Sequence, residues 1–298
     1  MNAIEARGIT KVYGAKTVIH HVNLEVKSNE IYGFLGRNGA GKSTFINIIT
    51  GIVHPTTGTF QLLNEPNLEN VKHRIGVLPD YSSFYDSMTA VDHLKYYSSI
   101  IGYKMSKERC EQVLKKVGLS EHANKKVGKF SFGMKKKLGI AQAIVHDPEL
   151  IFLDEPTSGI DVESSLEIHK LIKDLHNEGK TIFMTSHNLH EVEKICTRIA
   201  IMKDGRIFSE GTLEELKSKH MSALHVQIKH SFVSDPSWME SMLHEISKEI
   251  KTSERITSFV VDSEEKIPSI VRALTEQNID IYRIHVHEPS LEEIFLSE

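Results

Sequence analysis

The sequence predicts an α/β fold: a domain built on an open sheet, followed by a small α+β domain. Three observations lead there. The stretch Gly36-Arg37-Asn38-Gly39-Ala40-Gly41-Lys42-Ser43-Thr44 lies between an apolar run, Ile31-Tyr32-Gly33-Phe34-Leu35, and a helical segment from Phe45 to Ile49. A second apolar run, Leu150-Ile151-Phe152-Leu153, ends in Asp154 and Glu155. Beyond residue 219 the pattern changes to short alternating strands and amphipathic helices.

The chain of 298 residues is long enough for one large or two moderate domains, each with its own core. An apolar fraction of 40% with 26% charged residues is that of an ordinary soluble protein. A net charge of −4 argues against a general binder of nucleic acid or anionic membrane, which would carry a basic excess. Cys110 and Cys196 lie far apart, so neither a disulfide framework nor a structural zinc site is expected, and a reducing cytosol fits. No apolar run has the length needed to span a bilayer, and the first residues lack a signal-peptide core. Work at a membrane is therefore expected to go through a partner.

Residues 4–31 read as short β pieces joined by a turn at Tyr13-Gly14, with Val22, Leu24 and Val26 alternating as a half-buried strand. Tyr13 precedes the glycine-rich stretch, and an aromatic ring there can stack on a purine, worth about 1–3 kcal/mol by analogy with base stacking. In the stretch itself, Gly36, Asn38, Gly39, Ala40 and Gly41 form a turn whose N–H groups can point inward around phosphate oxygens. The helix that follows offers its unpaired N–H groups and the positive end of its dipole to the same anion. Lys42 would reach the β- and γ-phosphates, and the Ser43 hydroxyl, followed by Thr44, would sit on Mg²⁺. A nucleoside triphosphate is the expected ligand.

Thr59 to Leu63 and Arg74 to Leu78 look like strands, and Pro79-Asp80 breaks the pattern. Thr89-Ala90-Val91-Asp92 opens a block of helical periodicity that runs to His146. Within it, Ser131 is the expected N-cap of a helix presenting Leu138, Ala141 and Val145 on one face. The stretch reads either as a capped surface helix with Lys135, Lys136 and Lys137 as a solvated run or as a second anion site at that helix N-terminus. The run ending in Asp154-Glu155 reads as a fully buried strand with an acidic edge. In open α/β sheets ligands sit off the carboxyl ends of strands, so both acids can reach the phosphate loop. Asp154 would hold Mg²⁺ through its waters, and Glu155 would polarise the attacking water as general base.

Ser158-Gly159-Ile160-Asp161 is a turn, with Asp161 as N-cap of a helix over residues 162–177. Residues 181–184 form another buried strand, and His187 follows its carboxyl end, within reach of a γ-phosphate or its water. His187, His190 and Glu191 have the wrong order for a zinc-protease motif. Asp204-Gly205 turns a hairpin between residues 198–203 and 206–210, and Thr212-Leu213-Glu214-Glu215 opens a helix. In the second domain, strands are expected at residues 224–228, 256–261 and 282–286. Helices are expected at 237–250, from Ile267 to Leu274, and after a cap at Ser290-Leu291-Glu292-Glu293. No catalytic constellation stands out there.

Taken in this order, the motifs resemble the nucleotide-binding subunit of an ATP-binding-cassette (ABC) transporter, over roughly residues 3–218. The resemblance implies a P-loop NTPase cassette at residues 1–219, with a RecA-like core, an antiparallel β subdomain and a helical subdomain at about 86–148. Residues 220–298 would be an accessory α+β domain. Tyr13 matches the adenine-stacking position, Gly36 to Thr44 the Walker A loop, Leu150 to Asp154 the Walker B strand with Glu155 after it, Ser158 to Asp161 the D-loop, and His187 the switch histidine. Phe130 to Met134 falls on the signature, where Ser131 and Gly133 are the phosphate-facing pair and Phe132 and Met134 depart from the family's glycine and glutamine. Asp80 stands where the family has a glutamine that senses Mg²⁺ and the membrane partner, and is the third metal candidate beside Ser43 and Asp154.

The same resemblance implies ATP and Mg²⁺ as cofactors, and two cassettes, alike or different, sandwiching two nucleotides. It also implies an integral membrane permease seated around residues 80–92 and a peripheral place on the cytoplasmic face of the membrane, with no nucleic acid. The tail from Glu288 to Leu296 resembles those of cassettes serving drug, lantibiotic-immunity and peptide exporters. Rival readings are a soluble cassette ATPase working on ribosomes or DNA, and a nucleotide sensor without hydrolysis.

Overall fold

A computed structural model describes residues 1–80, 82–220, 224–244, 247–287 and 291–292 of the chain. It divides into two units, Met1–Leu213 and Glu214–Glu298. The division falls after Leu213, the first residue of the helix that follows Thr212, and not near residue 219 at the end of that helix.

In the first unit, β1 (Asn2–Tyr13) and β2 (Lys16–Lys27) are two twelve-residue antiparallel strands, longer than the short pieces expected. β3 (Ile31–Leu35) leads through the glycine-rich loop into α1 (Lys42–Ile49), which begins three residues before Phe45. β4 (Thr57–Leu62) returns to pair with β1, so that β2-β1-β4 forms one antiparallel sheet. After β5 (Ile75–Leu78) come α2 (Ala90–Ile100), α3 (Lys107–Lys116) and α4 (Phe132–Ile144). Thr89 caps α2 by accepting from the Asp92 N–H, and Ser131 caps α4 by accepting from the Met134 N–H, as their positions in the sequence predict.

The chain continues as β6 (Leu150–Leu153), α5 (Val162–Asn177), β7 (Thr181–Ser186), α6 (Leu189–Ile195), β8 (Arg198–Lys203) and β9 (Arg206–Gly211). The large sheet runs β5-β6-β7-β3-β8-β9, parallel from β5 to β8, with β9 antiparallel at the edge. Its central strands are covered on both faces, which is why their sequences are continuously apolar. Period-two alternation sends Leu150 and Phe152 to the core shared with α1 and the small sheet. Ile151 and Leu153 go to the core shared with α2 through α5. Phe34, Phe45, Phe152 and Phe183 pack ring against ring at 5.1–6.2 Å under the first turn of the phosphate loop's helix.

This strand order builds the site. β7 lies between β6 and β3, so the loop after β3, the acids after β6 and the residues after β7 emerge side by side from one end of the sheet.

The second unit contains α7 (Leu213–His220), whose first residue ends the first unit, then β10 (Leu224–His230), α8 (Ser237–Leu243), β11 (Lys248–Thr252), β12 (Ile256–Val261), α9 (Ile267–Glu276) and β13 (Ile281–His287). Its antiparallel sheet, β11-β12-β10-β13, closes over Met239, Leu243, Ile270 and Leu274. The helix expected at 237–250 stops at Leu243. Met239 and Leu243 fill its buried stripe, and residues 248–252 instead pair with β12, giving that strand a partner on its outer side. Leu291 and Glu292 are helical, while the rest of the expected last helix and most of the 288–296 tail lie outside the described residues.

Candidate functional site

The loop from Gly36 to Gly41 takes its shape from its glycines. Gly39 and Gly41 have φ of 83° and 109°, in the left-handed region that side chains disfavour. A Cβ on Gly41 would also meet Ile19 Cδ1 at 2.8 Å, and one on Gly36 would meet the Met202 carbonyl at 2.6 Å. α1 begins at Gly41 without any side-chain cap, so its first N–H groups face the loop's concavity. Lys42, only 6% exposed, curls into that concavity and donates to the Gly36 carbonyl at 2.7 Å.

The acids meet this lysine. Glu155 Oε1 lies 3.4 Å from Lys42 Nζ, and Glu155 Oε2 lies 2.8 Å from His187 Nδ1. Loop lysine, carboxylate and histidine thus form one contiguous chain across the ends of β3, β6 and β7. Glu155 holds φ of 50°, a left-handed backbone on a non-glycine residue, and both of its peptide groups are tied down. Its N–H donates to Thr185 Oγ1 at 2.9 Å, and its carbonyl accepts from Lys136 Nζ at 2.8 Å.

Thr185 in turn donates to Asp154 Oδ1, and Ser43 also hydrogen-bonds Asp154. Burial pushes the Asp154 carboxyl above the usual range, with these hydrogen bonds opposing and the nearby charges of Asp80 and Glu155 adding to the rise. A buried acid beside a hydroxyl and a second carboxylate is a hard, all-oxygen donor set of the kind that suits Mg²⁺. Asp80 faces this set, and its Oδ1 is 3.7 Å from Lys136 Nζ.

A cavity of about 710 Å³ opens here, lined by the loop residues Asn38, Gly39 and Gly41 to Thr44 and by Asp80, Glu155 and His187. Its far wall carries Phe132, Lys135 and Lys136 of α4 and the turn at Ser158-Gly159. Gly36, Ala40 and Asp154 do not line the cavity. Ser131 and Gly133 do not line it; Ser131 caps α4, and a Cβ on Gly133 would strike Ser164 Oγ at 2.8 Å. Asp161 caps α5 by accepting from the Ser164 N–H at 2.9 Å. Tyr13 is 48% exposed, lies outside the cavity lining, and carries the Lys11 ammonium 4.9 Å above its ring, while Val18 lines the cavity.

The expectation of a solvated lysine run is corrected. Lys136 and Lys137 are buried, Lys136 against the carbonyls of Asp80 and Glu155 and Lys137 against Glu167. Burial lowers the Lys136 pKa, and the charges of Asp80, Asp154 and Glu155 resist that fall. Sequence reasoning missed Lys136 as a site residue. The available signal was its spacing of four from Ile140, a core residue, which puts it on that helix face.

Comparison with known proteins gives matches over both units. Residues 19–158 match the family model described as ABC transporter, and residues 211–298 match that of the ATP-binding protein DrrA1-3-like, C-terminal domain. The bacitracin transport ATP-binding protein BcrA of Bacillus licheniformis is 35% identical over 98% of this chain and 96% of its own length. The linearmycin resistance ATP-binding protein LnrL of Bacillus subtilis (strain 168) is 33% identical over 99% of this chain and 97% of its own. Among solved structures, an ATP-binding subunit of an ABC transporter superposes with a TM-score of 0.66 at 26% identity, covering 73% of this chain and 93% of that one. A dimeric, post-hydrolysis ATP-binding cassette bound to ADP and Pi superposes with a TM-score of 0.65 at 27% identity, over 70% and 98%.

Proposed function

The chain belongs to the ATP-binding subunits of ABC transporters, and on that premise we propose that it dimerises around two Mg-ATP and drives a membrane permease exporting drugs or antimicrobial or toxic peptides. Its activity is ATP hydrolysis. The permease partner would hold it on the cytoplasmic face of the membrane; among the described residues no helix is long and apolar enough to cross a bilayer. The export cargo is drawn from relatives named for bacitracin transport and linearmycin resistance.

In this reading the N–H groups of residues 39–44 and the α1 terminus surround the phosphates, and Lys42 turns from the Gly36 carbonyl to the β- and γ-oxygens. Ser43 and Asp154, with Asp80 beside them, would hold Mg²⁺, which neutralises charge on the β- and γ-phosphates. Glu155 accepts a hydrogen bond from the attacking water and takes its proton as the bond to the γ-phosphorus forms and the bond to ADP breaks. His187 holds the second oxygen of Glu155 and so fixes the direction of the first. Tyr13 would stack on the adenine. Ser131 and Gly133 of one copy would close over the nucleotide of the other, with Asp161 in the turn between them.

The observation that carries the reading is the contact chain Lys42–Glu155–His187 at the mouth of the cavity. Glu155→Gln is expected to bind ATP as the wild type does, turn over about 100-fold or more slowly, and accumulate as a closed dimer. Turnover at the wild-type rate would remove Glu155 from its role. Pull-down of a multispanning membrane protein from detergent extracts tests the permease; ribosomes or DNA in its place would overturn it.

A further inference from the structure

Glu191 is a buried carboxylate, 5% exposed, to which the scheme above gives no part. It sits on α6, four residues after His187, and three donors from three segments converge on it. Oε1 accepts from Thr157 Oγ1 and from His169 Nε2 of α5 at 2.5 Å, and Oε2 accepts from Ser186 Oγ at 2.8 Å. Thr157 lies two residues after Glu155, in a turn that the Ser158 N–H closes onto the Glu155 carbonyl at 3.3 Å. Ser186 directly precedes His187, and its Oγ also accepts from the Asn188 N–H at 3.0 Å, while Asn188 Oδ1 accepts from the Glu191 N–H at 3.3 Å. The residues on either side of His187 are therefore both anchored to the same short helix.

We propose that Glu191, held by His169, positions Glu155 and His187 for hydrolysis by tying the turn after β6 to the turn after β7 through a single carboxylate. The proposal rests on the catalytic reading of Glu155 and His187 given above. With the Glu155–His187 hydrogen bond at 2.8 Å, the tie closes a ring: Glu155, Thr157, Glu191, Ser186, His187. A ring of that kind leaves neither catalytic side chain free to drift, and a displacement near 1 Å at a reacting group costs about 100-fold in rate. Burial raises the Glu191 pKa, but the hydrogen bonds from His169, Thr157 and Ser186 outweigh it and the net shift is downward. The group is held as an acceptor-only carboxylate facing three donors. His169 is a positioning residue twice removed from the nucleotide.

The test uses the full chain and measures kcat, ATP affinity and Tm for His169→Leu, His169→Gln, Glu191→Gln and Glu155→Gln. His169→Leu removes the donor at similar volume, and its kcat is expected to fall about 10- to 100-fold with ATP affinity within about twofold of wild type. In His169→Gln the amide nitrogen donates from near the ring Nε2 position, and kcat is expected to stay within about threefold. Glu191→Gln sets an amide donor against three donors and should fall at least as far as His169→Leu. A general loss of folding would lower affinity and kcat together and would strike Gln and Leu alike; either pattern overturns the proposal. So does wild-type kcat in His169→Leu. A slow Glu155→Gln beside a fast His169→Leu removes this proposal alone, whereas a fast Glu155→Gln removes the catalytic reading and this one with it.

Discussion

At the scale of single residues, the site holds its charges in tension. Asp154 is an acid whose burial favours its neutral form, yet the proposed chemistry would have it face a cation. Because its folded pKa is raised, ionisation opposes folding above that pKa, and the cost fades as pH falls through it. Mg²⁺ takes the ionised form, so metal affinity should decline on acidification at a pH above that of an ordinary aspartate, 3.8. We expect the Mg²⁺-dependent part of ATP affinity, measured by titration with and without chelator, to weaken as pH drops towards that range. Asp154→Asn should abolish the increment at every pH. An increment that stays constant down to the ordinary aspartate pKa would contradict the burial argument.

At the scale of elements, α4 links three parts of the site. Its first turn carries Ser131 and Gly133, and one turn later Lys136 reaches inward to the carbonyls of Asp80 and Glu155. That ammonium neutralises the carbonyl end of a residue in a left-handed backbone, on which the placement of the Glu155 carboxylate depends. Lys136→Met keeps the length and packing of the side chain and removes the donor. Single-turnover assays at saturating ATP are expected to show a rate lower by about 10- to 100-fold, with nucleotide affinity little changed. An unaltered rate would mean that Thr185 and the Ser158 N–H suffice to hold the Glu155 backbone. The Phe132 ring belongs to the same assembly, since a Cβ on Gly159 would lie 3.1 Å from it.

At the scale of the molecule, the two units have separate cores: the clusters of the first share no residue with the cluster around Val226, Ile228, Phe259 and Leu274. Among the described residues, every one that lines the proposed nucleotide cavity belongs to the first unit. Ligand binding stabilises only the fold that binds it, by about 2.7 kcal/mol at a hundred times Kd. Scanning calorimetry of the full chain should therefore show Mg-ATP raising the unfolding transition of the first unit more than that of the second. Equal shifts in both would show that the two units unfold as one.

The phosphate loop, the acidic strand end, the caps at Ser131 and Asp161 and the hairpin at Asp204-Gly205 were all legible in the chain, because each is a local matter. Glycine geometry, side-chain capping and period-two burial are decided within a few residues. By itself the sequence determined most elements of the first unit, the triphosphate ligand and the family. Only the tertiary structure decided which side chains meet. Lys136 points inward at two carbonyls supplied by distant loops, which a run of three lysines does not reveal. Nothing local to Glu191 showed that donors 34, 22 and 5 residues away converge on it. The end of the helix at Leu243 depended on a strand partner further along the chain. Burial and hydrogen-bond partnership at such sites come from chain segments that only strand order brings together, and no local pattern encodes them.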